Sequence, residues 1–129
     1  MNNFFQKQKT SITELAPVVL FCYTRIKYLQ KTIEALKTNA EAIETQLFIY
    51  SDAGKDSESC EMVKKVRQYI RTISGFKSIT IIEQETNQKL EYNVIKGVTE
   101  IVNRFGRVIV LEDDIVTSKY FLSFMNKSL

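Results

Sequence analysis

Residues 17–25 read Pro17-Val18-Val19-Leu20-Phe21-Cys22-Tyr23-Thr24-Arg25. An unbroken apolar run of this length, opened by a proline and closed by polar residues, is the pattern of a β-strand covered on both faces. Helix spacing takes over next. Leu29, Ile33, Leu36, Ala40 and Ile43 recur every three or four residues opposite Lys31, Glu34 and Lys37, so one apolar stripe predicts a helix packed on a sheet. The alternation then repeats. A strand from Gln46 to Tyr50 ends in the turn residues Ser51-Asp52-Ala53-Gly54. A helix follows, with Cys60, Val63, Val66, Ile70 and Ile73 on its buried stripe, Ser57 as the expected N-cap and Gly75 as its stop.

Ser78 to Glu83 supplies a β-branched third strand, and Glu85 to Gln88 a polar turn. A third helix starting at Leu90 or Glu91 carries Val94, Ile95, Val98, Ile101, Val102 and Phe105, and Gly106 ends it. The strand Arg107 to Leu111 runs into Glu112, Asp113 and Asp114, after which Ser118 is expected to cap a last helix with Phe121, Leu122, Phe124 and Met125. Strands joined by connections of helix length predict an α/β class, a Rossmann-like, mostly parallel sheet with helices on both faces. The domain is expected over residues 17–129, with residues 1–16 a polar N-terminal extension.

Composition narrows the functions. The 129 residues are 44% apolar and 26% charged, which suits one globular domain. The net charge of +3 comes from 18 Lys and Arg against 15 Asp and Glu, scattered along the chain, so no basic pole is present to bind nucleic acid. Histidine is absent, which removes Ser-His-Asp and Cys-His catalysis and imidazole metal sites from this chain. Cys22 and Cys60 are too few for a disulfide framework and read as reduced core residues. Residues 1–15 are too polar for a secretory leader, and the longest apolar run, Ala16 to Tyr23, is too short to span a bilayer. No membrane span and a cytoplasmic address are therefore expected. Neither GxGxxG nor GxxxxGK[ST] occurs, which argues against a dinucleotide oxidoreductase and a P-loop NTPase.

Ligands of parallel α/β sheets bind outside the carboxyl ends of the strands. Those positions hold Tyr23, Thr24 and Arg25; Ser51 and Asp52; Glu85 to Gln88; and Glu112, Asp113 and Asp114. Adjacent carboxylates about 4 Å apart repel by about 1 kcal/mol in water and about 4 at an effective dielectric near 20, so the acidic triplet calls for a counter-charge. Mg²⁺ or Mn²⁺ with hard oxygen ligands is the usual one; the bland reading is a solvated turn ahead of a helix. In extended geometry Glu112 and Asp114 point to one side and Asp113 to the other. Arg25 suits a phosphate. Asp52 suits a base N–H or a ribose hydroxyl, or else forms an Asx-turn. Tyr23 and Tyr28 suit stacking on a base, whereas Asn87, Lys89 and Asn93 read as turn, solvated and helix-surface residues.

In this order the motifs resemble the nucleotide-binding half of a GT-A fold glycosyltransferase. Val18 to Arg25, with Tyr28-Leu29 and Thr32-Ile33, is similar to the opening of family 2. Ser51-Asp52-Ala53-Gly54 is similar to its Ser-Asp-Gly turn. Val108-Ile109-Val110-Leu111-Glu112-Asp113-Asp114-Ile115, followed by Ser118-Lys119-Tyr120-Phe121-Leu122, resembles the Glu-Asp-Asp form of the DxD motif in N-acetylglucosaminyltransferase I and related bacterial enzymes. The resemblance implies a nucleoside-diphosphate-sugar donor, a UDP-sugar, with Mn²⁺ or Mg²⁺ on the pyrophosphate. It implies Asp114 as metal ligand, Glu112 and Asp113 toward sugar and ribose, Asp52 toward uracil and Arg25 toward phosphates, with Tyr23 and Asn87 in the same binding set.

The resemblance also places the acceptor platform and the catalytic carboxylate beyond Leu129. The chain is thus expected to be a donor-binding half, C-terminally incomplete and inactive alone, with an acceptor no residue here specifies. Its last helix lacks partners, so self-association as a homo-oligomer is expected. The same strand-end acids also suit a non-catalytic nucleotide or nucleotide-sugar binding module, or a nucleotidyltransferase-like domain.

Overall fold

The computed structural model describes residues 14–129, so most of the expected N-terminal extension lies outside the described residues. The elements are β1 (Val18–Cys22), α1 (Ile26–Lys37), a 3₁₀ turn (Ala40–Glu44), β2 (Gln46–Ser51), α2 (Ser57–Ile70), β3 (Ser78–Glu83), α3 (Leu90–Phe105), β4 (Ile109–Glu112) and α4 (Phe121–Ser128). The four strands form one sheet in the order β3-β2-β1-β4, and every pairing is parallel. Sequence order reverses at β1, which has β2 on one side and β4 on the other.

The apolar run of β1 is buried throughout because both of its faces are covered. Val18, Leu20 and Cys22 pack with Leu29, Ile33 and Leu36 of α1, Val66 and Ile70 of α2 and Leu122 of α4. Val19 and Phe21 point the other way, joining Phe48, Tyr50 and Ile101 under α3. Alternation along one strand thus feeds two cores, as period-2 geometry requires.

Several local expectations shift, each for an identifiable reason. The first helix stops at Lys37 instead of carrying Ala40 and Ile43, and Ile43 is exposed on the 3₁₀ turn. The buried Asn39 breaks it. Its Nδ2 donates to the carbonyls of Leu36 (3.0 Å) and Ser118 (3.2 Å), while its Oδ1 accepts from the Leu122 N–H (2.9 Å), tying the end of α1 to the start of α4. Helix α2 is capped by Asp56, not Ser57: the Asp56 carboxylate accepts from Ser59 N–H at 2.8 Å and Ser59 Oγ accepts from Asp56 N–H at 3.0 Å. The inward stripe is accordingly Ser59, Val63, Val66 and Ile70, which leaves Cys60 exposed and not in the core. That helix ends at Ile70, and Gly75, at φ 94°, belongs to the turn beyond it. Gly106 does end α3, in the left-handed conformation. Ser118 lies one turn ahead of α4, its oxygens accepting from Tyr120 and Phe121 N–H (both 3.2 Å), and Phe124 is exposed. No helix among the described residues is long and apolar enough to cross a membrane.

Candidate functional site

Register brings the strand ends level. Cys22 pairs with Ser51, Ser51 with Glu83, and Phe21 with Glu112, so the residues that follow β1, β2 and β4 emerge on one rim with the turn after β3. There they line a cleft of about 480 Å³. The end of β1 and the turn after it contribute Phe21, Cys22, Tyr23, Thr24 and Arg25; β2 and the residue after it contribute Tyr50 and Asp52; β4 and the residue after it contribute Glu112 and Asp113. Asn87, Lys89 and Asn93 close it from the turn after β3 and the start of α3, and Lys55 from the turn after β2. The cleft thus spans the point at which strand order reverses, where parallel sheets bind ligands.

One ion pair crosses that point. Arg25 Nη2 donates to Asp113 Oδ1 at 2.7 Å and lies 3.6 Å from Asp114 Oδ2. The guanidinium also sits 5.4 Å from the centre of the Tyr28 ring. Asp113 is held from below as well, its carbonyl accepting from Thr32 Oγ1 at 2.9 Å. The two charges sit in unlike settings, with the Arg25 side chain 50% exposed and that of Asp113 only 7%. The Asp113 charge raises the Arg25 pKa further, whereas burial pushes the Asp113 carboxyl above the usual range. Attraction to Arg25 pulls Asp113 back down and repulsion from Asp114 adds to the rise, but desolvation is the largest influence. The Cys22 thiol behind them is pushed up to about 12, chiefly by burial and then by the Asp113 charge. It is no nucleophile at neutral pH.

Exposure alternates along the acidic triplet, with Glu112 and Asp114 exposed and Asp113 buried, although the triplet is not extended: β4 ends at Glu112 and the next two residues form a turn. Yet Glu112 and Asp113 line the cleft, and Asp114 stands beside it. The counter-charge that the sequence demands is supplied in part by Arg25.

Asp52 is a clamp. Its Oδ1 accepts from the N–H of Ala53 (2.9 Å) and of Gln88 (2.8 Å), and its Oδ2 from Asn87 Nδ2 at 3.3 Å. Asn87 Nδ2 also donates to the Ala53 carbonyl at 2.8 Å, so the turn after β3 is stitched to the turn after β2. Gly54 is needed beneath this stitch, because a Cβ there would lie 2.5 Å from the Cys60 backbone nitrogen. Arg67, which nothing in the spacing singles out, reaches from α2 to the same rim. Its Nε donates to Ser51 Oγ (3.0 Å), and its Nη2 to the carbonyls of Ser51 (3.1 Å) and Gln84 (2.8 Å), pinning β2 to the exit of β3.

Helix α3 forms the remaining wall and approaches the sheet closely at Gly97, where a Cβ would meet Phe21 Cε1 at 2.7 Å and Tyr50 Cε1 at 3.2 Å. Tyr50 is fixed from its far end, where its hydroxyl donates to Glu100 Oε2 at 2.6 Å, and its pKa is raised chiefly by burial and then by that bond. Lys89 enters the helix at φ 67° and ψ 150°, a backbone conformation costly for a residue with a Cβ. Asn93, read from sequence as a helix-surface residue, is instead 3% exposed and lines the cleft. Its Oδ1 is buried without a hydrogen-bond partner, and so is the hydroxyl of Tyr23. Tyr28 is exposed outside the cleft against Arg25.

Fold and cleft together define an α/β domain with an all-parallel sheet and, at its switch point, a cleft with an apolar interior and a charged rim. No protein-family model matches the chain, and no curated protein matches it significantly. Among the described residues no group of three or more Cys, Asp or Glu side chains is gathered to enclose a metal ion. A cation held here would be held openly, by one or two carboxylates and its own ligands, as Mg²⁺ commonly is.

Proposed function

We propose that this domain binds a nucleoside-diphosphate sugar, a UDP-sugar, as the donor-binding part of a GT-A-type glycosyltransferase. The observation that carries the reading is the single cleft into which all three motif segments converge: Thr24-Arg25, Asp52 and Glu112-Asp113. Arg25, half-exposed at the rim, offers its remaining donors to phosphate oxygens. Asp52 fixes the two turns that shape the nucleoside side and leaves Oδ2, held only by the 3.3 Å contact, for a ribose hydroxyl or base N–H. Tyr23 and Asn87 line the same space.

The donor chemistry fits Mn²⁺ or Mg²⁺. Glu112 and Asp114 are exposed carboxylates flanking the buried Asp113, which is engaged by Arg25. A hydrated divalent ion on Asp114 or Glu112 would neutralise the donor's pyrophosphate. This chain's own contribution is to hold the phosphates at Arg25 and the nucleoside against the Asp52 clamp.

A second reading, a metal-independent nucleotide-binding module, is favoured by one observation: Arg25 already offsets the one buried acid of the triplet. Calorimetric titration of UDP, GDP and CMP and their sugars, with and without Mn²⁺, separates the two. Metal-dependent preference for UDP-sugars supports the transferase reading, metal-independent binding supports the module, and no binding of any nucleotide removes both.

A further inference from the structure

The inner wall of the cleft differs from its rim. The rim carries the charges, Arg25, Lys55, Lys89 and Glu112. The inner wall is made by the buried rings of Phe21 and Tyr50, centroids 5.4 Å apart, and by the amide of Asn93 in the first turn of α3. Gly97, one turn further along the same helix, lets that wall close on the two rings. An apolar surface with one polar group suits a flat, apolar-faced body that has a hydrogen-bonding edge.

Two side chains of the cleft, Tyr23 at its hydroxyl and Asn93 at its Oδ1, keep hydrogen-bonding capacity unspent, and of the two Asn93 stands on the helix that closes on the Phe21 and Tyr50 rings. A buried amide oxygen without a partner is desolvated with nothing in return, so its retention asks for a partner that arrives from outside the chain. A half-turn of the amide about its last torsion presents either a donor or an acceptor to the cleft. Asp52, the sequence's candidate for the same contact, has already spent Oδ1 twice on backbone N–H groups.

We propose that Asn93 is a specificity-determining residue of this cleft, hydrogen-bonding the edge of a nucleobase that packs against the Phe21 and Tyr50 wall. The inference rests on the nucleotide-binding reading above and assigns its base-recognising group. Asp52 holds the turn, and Asn93 reads the base.

Two probes test it: UDP, which carries a base, and inorganic pyrophosphate, which does not, each titrated calorimetrically with Mn²⁺ into the full chain. The Asn93→Leu variant, close in volume and apolar, is expected to melt at the same temperature as wild type or higher, because the unpaired amide is gone. It should lose about tenfold in UDP affinity, worth about 1.4 kcal/mol, and keep its pyrophosphate affinity within about twofold. The Asn93→Ala variant, which adds no bulk, should show the same split and serves if the leucine variant fails to fold. Unchanged UDP affinity in either folded variant, or equal losses for both probes, overturns the assignment of Asn93 alone. Wild-type protein that binds UDP no more tightly than pyrophosphate also overturns it. Wild type that binds neither removes the nucleotide reading and this inference with it.

Discussion

Replacing Gly97 by alanine should destabilise the protein, although it sits in the middle of a 16-residue helix where alanine is normally better. In an exposed helix the exchange gains about 1 kcal/mol from backbone entropy. Here the new methyl would lie 2.7 Å from Phe21 Cε1 and 2.9 Å from its Cζ, roughly 0.7 Å inside the 3.4 Å at which ordinary contact begins. Neither partner can move aside. Phe21 is in the central strand, packed on Tyr50 at 5.4 Å, and Tyr50 is held at its hydroxyl by Glu100. The helix must lift instead, and overpacking of this kind costs about 1–3 kcal/mol. Set against the helical gain, the net is a loss of about 0–2 kcal/mol, which for a domain of this size lowers the melting temperature by a few degrees. Because lifting α3 moves Asn93 and Lys89, the same variant should bind UDP more weakly. Urea denaturation and calorimetric titration read the two effects. A melting temperature raised by several degrees with unchanged binding would refute the close approach of α3 to the sheet.

The remaining predictions concern the rim. Asp113→Asn should match wild type in stability at acid pH and gain on it as pH rises. A carboxyl whose folded pKa lies above its unfolded value costs stability once it ionises, and asparagine never ionises. Urea midpoints from pH 3 to 7 decide this, and a variant that falls progressively behind wild type as pH rises would mean that Arg25, not burial, governs Asp113. Asp52→Ala should lose about 2–4 kcal/mol without any ligand, since two backbone N–H groups lose their acceptor and the Asn87 amide loses the weaker of its two; a melting temperature equal to wild type would show that the turns hold without the clamp. Asp114→Asn should remove most of the Mn²⁺-dependent increment in UDP affinity while leaving stability equal or higher, because acidic repulsion at the rim falls. Equal increments in variant and wild type would sink Asp114 as metal ligand.

The strands and their order of alternation are legible in the sequence because burial on two faces and helical periodicity leave local marks. The start of β1 at Val18, the strand Ser78 to Glu83 and the Gly106 stop fall where pattern alone puts them, and the apolar run through Tyr23 overshoots the end of β1 by one residue. Boundaries set by side chains that bond to the backbone are not legible in this way. Asn39 ends α1 through contacts with Ser118 and Leu122, some eighty residues away, and the Asp56–Ser59 capping box turns Cys60 outward by a register that hydrophobicity does not reveal. For the cleft, the strand-end rule identifies Arg25, Asp52 and the acidic triplet from sequence, since parallel topology gathers strand ends on one rim whatever else the chain does. Only the tertiary structure decides how their charges are spent. Folding joins Arg25 to Asp113 across 88 positions, turns Asp52 into the clamp of Asn87 and Gln88, brings in Arg67 from α2, and buries Asn93 without a partner. Those outcomes depend on distances between residues far apart in the chain, and periodicity, which is a property of neighbours, carries no information about them.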